Sequence, residues 1–480
     1  MPGYPAPSGE AAADAGRAHQ APAGTGRADP RSDAGGNARL TLAAIAALAF
    51  AVRLVWILYT NYTPTLRDDA GRYDLLGRSL AHAAGYINPN GTTTLFWPPG
   101  YPFILAAVYR IFDDSVRAAL VLNALFAAGT VVLVYAIGRR AFDARAAMLG
   151  ALLYALMPSA VFFAGVTLSE TAFTFVLLLA LWLVVESAAR RSWRLLVAAG
   201  VAVGYAALIR GQAALLPLVA LPFWLWAPGE AAAGDRRGDG AADTAGGAPP
   251  GAWPGGSAIR AALPRTLVLG ALAAVVIAPW TVRNYIESGS AVLISTNAGV
   301  DFYIGHSAGA DGRGRIVNEL VFRYPNLSEP RAEARVSNDG FREGLKYIVH
   351  HPLREVTLSA RKVFWLYESD HEALQWTDGH GERHVLAHGV KVALGGLSDV
   401  YYWLLIALAL VGVRRWLSFP RGIAGATRLL LASLVAYWTL VHVAFFADPR
   451  FHAPITPVLC LWAAVGMTSA VRRLLPDLRR

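Results

Sequence analysis

Residues 40–59, LTLAAIAALAFAVRLVWILY, form an apolar run with a single charge, Arg53. As a helix, a run of about 20 residues reaches about 30 Å, the thickness of a bilayer's hydrocarbon core. The preceding residues, 1–38, are rich in Ala, Gly, Pro, Asp and Arg and hold no apolar run. Such a segment cannot bury enough surface to offset the entropy of ordering, so it reads as a disordered cytoplasmic tail. A cleaved signal peptide would start nearer the terminus and end in small residues, so the run reads as a retained anchor.

Working outward, nine more apolar runs fall at about 115–138, 146–166, 168–186, 194–210, 212–227, 263–282, 398–413, 427–447 and 454–471. With the first they make ten, and the expected class is an all-α polytopic membrane protein. Composition agrees: 55% of the 480 residues are hydrophobic and 16% charged, against about 25% charged in soluble chains. A soluble enzyme, a nucleic-acid binder and a disordered chain all fit poorly. The net charge of +10 sits in short arginine-rich loops between the runs, which is a topology signal and not a DNA-binding stripe. With a cytoplasmic N-terminus, every basic cluster between closely spaced runs falls on the cytoplasmic side. The lone cysteine, Cys460, lies within an apolar run, so no intrachain disulfide can form.

This topology turns two long segments outward, 60–114 and 284–397. A third, 229–258, is rich in Gly, Ala and Pro and reads as a flexible cytoplasmic linker. Residues 472–480 form a basic cytoplasmic tail. No fixed-period repeat is present.

In the first outer loop, Arg67-Asp68-Asp69-Ala70-Gly71-Arg72-Tyr73 continues as DLLGRSLAHAAGY. Tyr73, Leu76 and Leu80 recur at helical spacing, which predicts a short interfacial helix with Asp69 and Tyr73 on one face. The prolines of Trp97-Pro98-Pro99-Gly100-Tyr101-Pro102 must break any helix before a second amphipathic piece, 103–112. Acids at an outer helix end are costly unless paired or used, although capping a helix in the headgroup layer is the plainer role. Arg283 and Asn284 stand at the mouth of a span, where an arginine can simply snorkel. Arg210 is the only charge between two closely spaced runs on the outer side, against the positive-inside bias, and so calls for an anion. Arg450 and His452 lie in the outer turn before the last run. A carboxylate and several arginines gathered at one end of a helix bundle suit transfer from a phosphate leaving group to a hydroxyl. The carboxylate takes the acceptor proton, and the guanidinium groups hold charge on the departing phosphate.

The series Asp69-x-x-x-Tyr73 with SLAHAAGY, PPGYPFILAAVYRIF, Leu168-Ser169-Glu170-Thr171, PWTVRNY with STNAGVDFYIG, and PRFHAPITPVL resembles the membrane glycosyltransferases of the GT-C superfamily. Within it the chain is most similar to bacterial relatives of protein O-mannosyltransferases and lipid A aminoarabinose transferases. The resemblance spans residues 39–471. It implies a bundle of about ten (ten to thirteen) transmembrane helices, a catalytic acid in the 60–114 loop, and a polyprenyl-phosphate-linked sugar as donor. Carried over by motif, Asp69 is the general base with Asp68 as its fallback, and Glu170 holds an acceptor or a cation. Arg210, Arg283 and Arg450 bind phosphate, and Tyr73, Asn284 and His452 line the substrate site. Where these relatives have an asparagine after the glycine of YIGN, this chain has Gly305-His306.

One base and a phosphate leaving group favour a single displacement with inversion. The implied partners are the lipid-linked donor, the bilayer and a lipid, protein or polysaccharide acceptor, with no nucleic acid. The implied place is the plasma (inner) membrane, with the site on its extracytoplasmic face. His380, His384 and His388 recur every four residues near several acids and would share a helical face, so they are weak candidates for a divalent cation. A solvated loop is the better reading, and the superfamily is mixed in its metal use. A transporter or flippase of anionic lipid would use the same arginines, but with polar residues at the bilayer midplane and paired repeats.

Overall fold

The computed structural model describes residues 30–66, 68–227, 256–314, 329–379 and 384–474. Residues 1–29, 229–255 of the expected linker, His380 and 475–480 of the expected basic tail lie outside the described residues. Two parts are distinguished, 1–41 and 42–480. In the first, the described chain is helical from Pro30. Once the apolar run nucleates a helix, extending it through Ala and Arg costs little, and a proline is harmless in the first turn.

No strand occurs among the described residues. Helix α1 is Pro30–Thr60. The first outer loop folds into α2 (Asp69–Ala81) and α3 (Gly100–Ile111). Then come α4 (Val116–Ala141), α5 (Ala144–Leu156), α6 (Pro158–Ala164), α7 (Glu170–Ala189), α8 (Trp193–Ile209) and the broken helix α9 (Gly211–Trp226). After α10 (Gly256–Ser288), the second outer loop supplies α11 (Asn297–Gly305), α12 (Pro330–His350), α13 (Pro352–Tyr367) and α14 (Glu372–Gly379). The chain ends with α15 (His388–Val411), α16 (Ile423–Ala444), a tight helical turn at Pro449–Ile455 and α17 (Thr456–Leu474).

All ten apolar runs are helical, but they do not all have the same length. Among the described residues seven helices are long and apolar enough to cross a membrane, and the bent pair α5–α6 raises this to eight. The runs expected at 194–210 and 212–227 form α8, with 17 residues, and the broken α9. Seventeen residues rise only about 26 Å, slightly short of the hydrocarbon core.

The bend has a local cause. Met157 precedes Pro158 and takes extended backbone (ψ 119°), and the two helices meet at 54°, because a residue before proline avoids the helical region. Pro158 has no amide to offer the Tyr154 carbonyl. Arg53, fully enclosed in protein, donates to the carbonyls of Ala155 (2.9 Å) and Tyr154 (3.4 Å) and to Ala49 of its own helix (3.0 Å). The single charge of the first run thus serves the break in another.

The most enclosed membrane-length helices are α7 and the segment Pro449–Val471, each with 72% of its apolar window buried. Glu170 opens the first and Arg450 the second. These two helix ends therefore occupy the best-fixed position in the bundle.

Candidate active site

The site is assembled from the ends of four elements. Asp68 and Asp69 divide two roles between them. The Asp68 carboxylate accepts from the Gly71 amide (3.1 Å) and caps α2, so the fallback base is turned into the backbone. Asp69, the first residue of the helix, instead meets Arg450, with Oδ2 2.8 Å from Nη1. The α2 terminus is fixed against the Ser-Glu turn by the Thr167 hydroxyl, which donates to the Ala70 carbonyl (3.0 Å). Gly71 is required here, because a Cβ would lie 1.7 Å from the Thr65 carbonyl oxygen.

Beside this pair lies a second. Arg210 brings Nη2 within 2.6 Å of Glu170 Oε1 and donates from Nε to the Ser169 hydroxyl (3.1 Å). Glu170 is only 1% exposed, and the guanidinium is the partner that such burial of a carboxyl group calls for. Close approach of α3 to the end of α8 shapes this corner. A Cβ at Gly100 would fall 2.6 Å from the Ile209 amide nitrogen, and the Tyr205 hydroxyl donates to the Gly100 carbonyl (2.9 Å).

Tyr73 links the two pairs, being within electrostatic range of Asp69, Glu170 and Arg210 and bonded to Ser169. Burial pushes its hydroxyl up to about 12; Asp69 and Glu170 add to the rise, and Arg210 opposes it. Its ring stands edge-on to Trp97 (5.4 Å) and Tyr101 (5.6 Å). Arg450 is flanked by the rings of Trp376 (4.6 Å) and Phe451 (5.1 Å), and its amide is capped by Asp448 (3.0 Å).

The structure adds Asp301 of α11, which sequence reasoning missed although it stands in the quoted STNAGVDFYIG stretch. Asn297 donates to its Oδ2 (3.2 Å). Burial raises its carboxyl to about 7, reinforced by Asp69 and opposed by Arg450. An acid within a short helix of small and apolar residues was the available signal.

Three expected members are placed elsewhere. Arg283 donates to the Thr94 carbonyl (2.9 Å) and to Asn284 (3.0 Å), packed over Trp280 (4.7 Å) and Tyr86 (5.6 Å). Thr94 and the Leu95 amide are held in turn by Glu333 (2.7 and 2.5 Å). Arg283 is therefore one aromatic layer from Tyr73 and fixes the loop leading to Trp97. Asn284 is fully buried and spends its amide on the carbonyls of Val292 (3.2 Å) and Ile294 (2.9 Å). His452 is enclosed between the Leu366 carbonyl (2.7 Å) and Asp370 (2.8 Å) and stacks on Tyr402 (4.7 Å). It is 1% exposed.

The histidine repeat does not form one helical face. His384 follows the end of α14 and bonds to the Asp378 carbonyl (2.6 Å), while His388 opens α15. Among the described residues no group of three His, Cys, Asp or Glu side chains is arranged to hold a metal ion. Gly305-His306 serves a structural end: His306 and Lys362 take up the last carbonyls of α16, Ala444 (3.0 Å) and Val443 (3.0 Å).

Residues 97–234 match the family described as dolichyl-phosphate-mannose-protein mannosyltransferase. A comparison with curated proteins finds no match. Among solved structures, the oligosaccharyltransferase of Archaeoglobus fulgidus with a tethered acceptor peptide superposes with a TM-score of 0.50, at 16% identity, over 91% of this chain and 50% of its own. The same archaeal enzyme with an inhibitory peptide and a dolichol-phosphate gives the same figures. ArnT from Cupriavidus metallidurans bound to undecaprenyl phosphate is a fainter likeness, with a TM-score of 0.40 at 16% identity over 90% of this chain and 79% of that one. The chain spans about half the length of the archaeal structures. The fold is that of the archaeal oligosaccharyltransferase, and the chain is a multi-pass membrane protein.

Proposed function

We propose that this protein transfers a sugar from a polyprenyl-phosphate-linked donor to a hydroxyl or amine acceptor, on the extracytoplasmic face of the plasma membrane. The observation that carries the reading is the contact of Asp69 with Arg450, with the Glu170–Arg210 pair beside it, at one end of the two most enclosed spans. The family match over residues 97–234 and the likeness to a fold that holds a dolichol-phosphate support a lipid-phosphate donor.

The chemistry follows from the two pairs. A donor phosphate competes with Asp69 for Arg450 and, on binding, leaves the carboxylate without its cation. Asp69 is then free to take the acceptor proton as the acceptor atom attacks the anomeric carbon. The bond from that carbon to the phosphate oxygen breaks, and its electron pair leaves with the polyprenyl phosphate, whose charge Arg450 and Arg210 hold. Single displacement inverts the anomeric centre. Arg210 keeps its orientation through Ser169 and Glu170, which makes the second pair a fixed anchor and the first the exchangeable one.

The test is to compare envelope glycans and glycolipids from cells with the wild-type chain, the Asp69→Asn variant and no chain. Loss of one sugar in the last two supports the reading and identifies the acceptor class. Unchanged glycans in both would overturn it.

A further inference from the structure

The opposite end of the same helices carries a second set of anion-holding groups. Helix α7 has 20 residues, so its C-terminal end lies about 30 Å from Glu170, where the chain turns back into α8. Between this turn, the end of α9 and the start of α10 is an open cleft lined by Ser187, Arg191, Trp193, Trp224 and Arg265 among others. Among the described residues, none that lines it is acidic. The nearest acid in sequence, Glu186, is already paired with Arg140 (2.7 Å) and Arg190 (2.6 Å).

Three kinds of donor meet here. Arg191 and Arg265 bring positive charge, Arg265 lying over the Trp224 ring (5.8 Å). Ser192 caps α8, whose first-turn amides present the positive end of a 17-residue helix. Trp224 is 4% exposed, and its indole N–H is enclosed without a hydrogen-bond partner. A buried donor left unpaired is costly unless a ligand satisfies it. From the cleft, Trp193, Val197 and Val201 run along α8 at four-residue intervals, all exposed, which gives an apolar track on one helical face.

The geometry points to a binding site for a phosphate-bearing lipid headgroup, with the phosphate held by Arg191, Arg265 and Trp224 and an acyl chain lying along the Trp193–Val201 track. This site is separate from the donor site, on the other side of the membrane. Phosphate chemistry alone would also admit a free phosphate ion. The exposed apolar track favours the lipid.

The test uses the purified full chain in detergent, with native mass spectrometry counting retained phosphatidic acid, phosphatidylcholine as control and inorganic phosphate as competitor. Phosphatidic acid should be retained in preference, and Arg191→Gln and Trp224→Phe should each weaken it about tenfold, the worth of one charge-assisted or buried hydrogen bond. Arg191 is exposed, so its variant keeps the fold; melting curves verify this. Asp69→Asn should leave the retention unchanged, which separates this site from the proposed reaction. Competition by millimolar inorganic phosphate would keep the phosphate site and remove the lipid from it. Equal retention of both lipids, no effect of either variant, or loss in Asp69→Asn would overturn the proposal.

Discussion

Replacing Asp69 with Asn should lower the rate of transfer while tightening the grip on the donor. The Asp69 and Arg450 charges are 2.8 Å apart, and Coulomb's law at an effective dielectric constant of about 20 gives about 6 kcal/mol at that distance. Their side chains are 30% and 16% exposed, so water competes and the net worth falls to about 1.4 kcal/mol, a factor of about ten. A donor phosphate must overcome that attraction to reach Arg450. The asparagine variant removes it, so the dissociation constant for polyprenyl phosphate should fall about tenfold. Loss of the base should meanwhile cost about 10² to 10⁴ in turnover. The assay is transfer in proteoliposomes at saturating donor, paired with equilibrium binding of polyprenyl phosphate to the same preparation. A purely structural ion pair would lower stability and weaken binding together. Turnover at the wild-type level, or weaker binding in a variant that still melts normally, would refute the exchange of Arg450 between carboxylate and phosphate.

Glu170→Gln strands the Arg210 guanidinium in an enclosed position and should cost about 3 kcal/mol in equilibrium unfolding from mixed micelles, with Glu170→Gln/Arg210→Gln recovering much of that loss; additive single effects would argue against coupling. Gly71→Ala places a Cβ against the Thr65 carbonyl at 1.7 Å, so transfer should collapse while fractionation still finds the chain in the membrane. Asp301 has its carboxyl raised from 3.8 to about 7 by burial. The folded state therefore holds a proton that the unfolded chain releases, and this stabilising contribution is complete below pH 3.8 and lost as pH rises through about 7. Asp301→Asn should flatten that slope in a stability–pH profile. It should also flatten any loss of donor binding above pH 7, since ionised Asp301 adds negative charge beside Asp69.

Much of the architecture is legible in order and periodicity. The run at 40–59, its successors and the proline break at 98–99 all became helices or helix ends, because apolar length and a missing amide act within a few residues, whereas the bend at Pro158 inside the 146–166 run went unread. The same holds for α2: four-residue spacing puts Asp69 and Tyr73 on one face, and both reach the site. The division of labour between neighbouring acids was not legible. Asp68 and Asp69 have the same chemistry, and only the helix start decides which one caps.

What the sequence determined by itself was the class of molecule and a set of charges at helix ends. Which of those charges meet was settled by tertiary structure. Arg450 stands 381 positions from Asp69 in the chain, and the packing of α7 and the Pro449–Val471 segment in the bundle brings them to 2.8 Å. Arg283, with the same residue type and the same outward placement, is turned to the Thr94 carbonyl, and Asp301 is carried in from a separate loop. Membrane insertion sorts residues only by depth. Position around the bundle depends on which helices pack together and on where each side chain leaves its helix, and those directions are fixed only when the whole bundle closes.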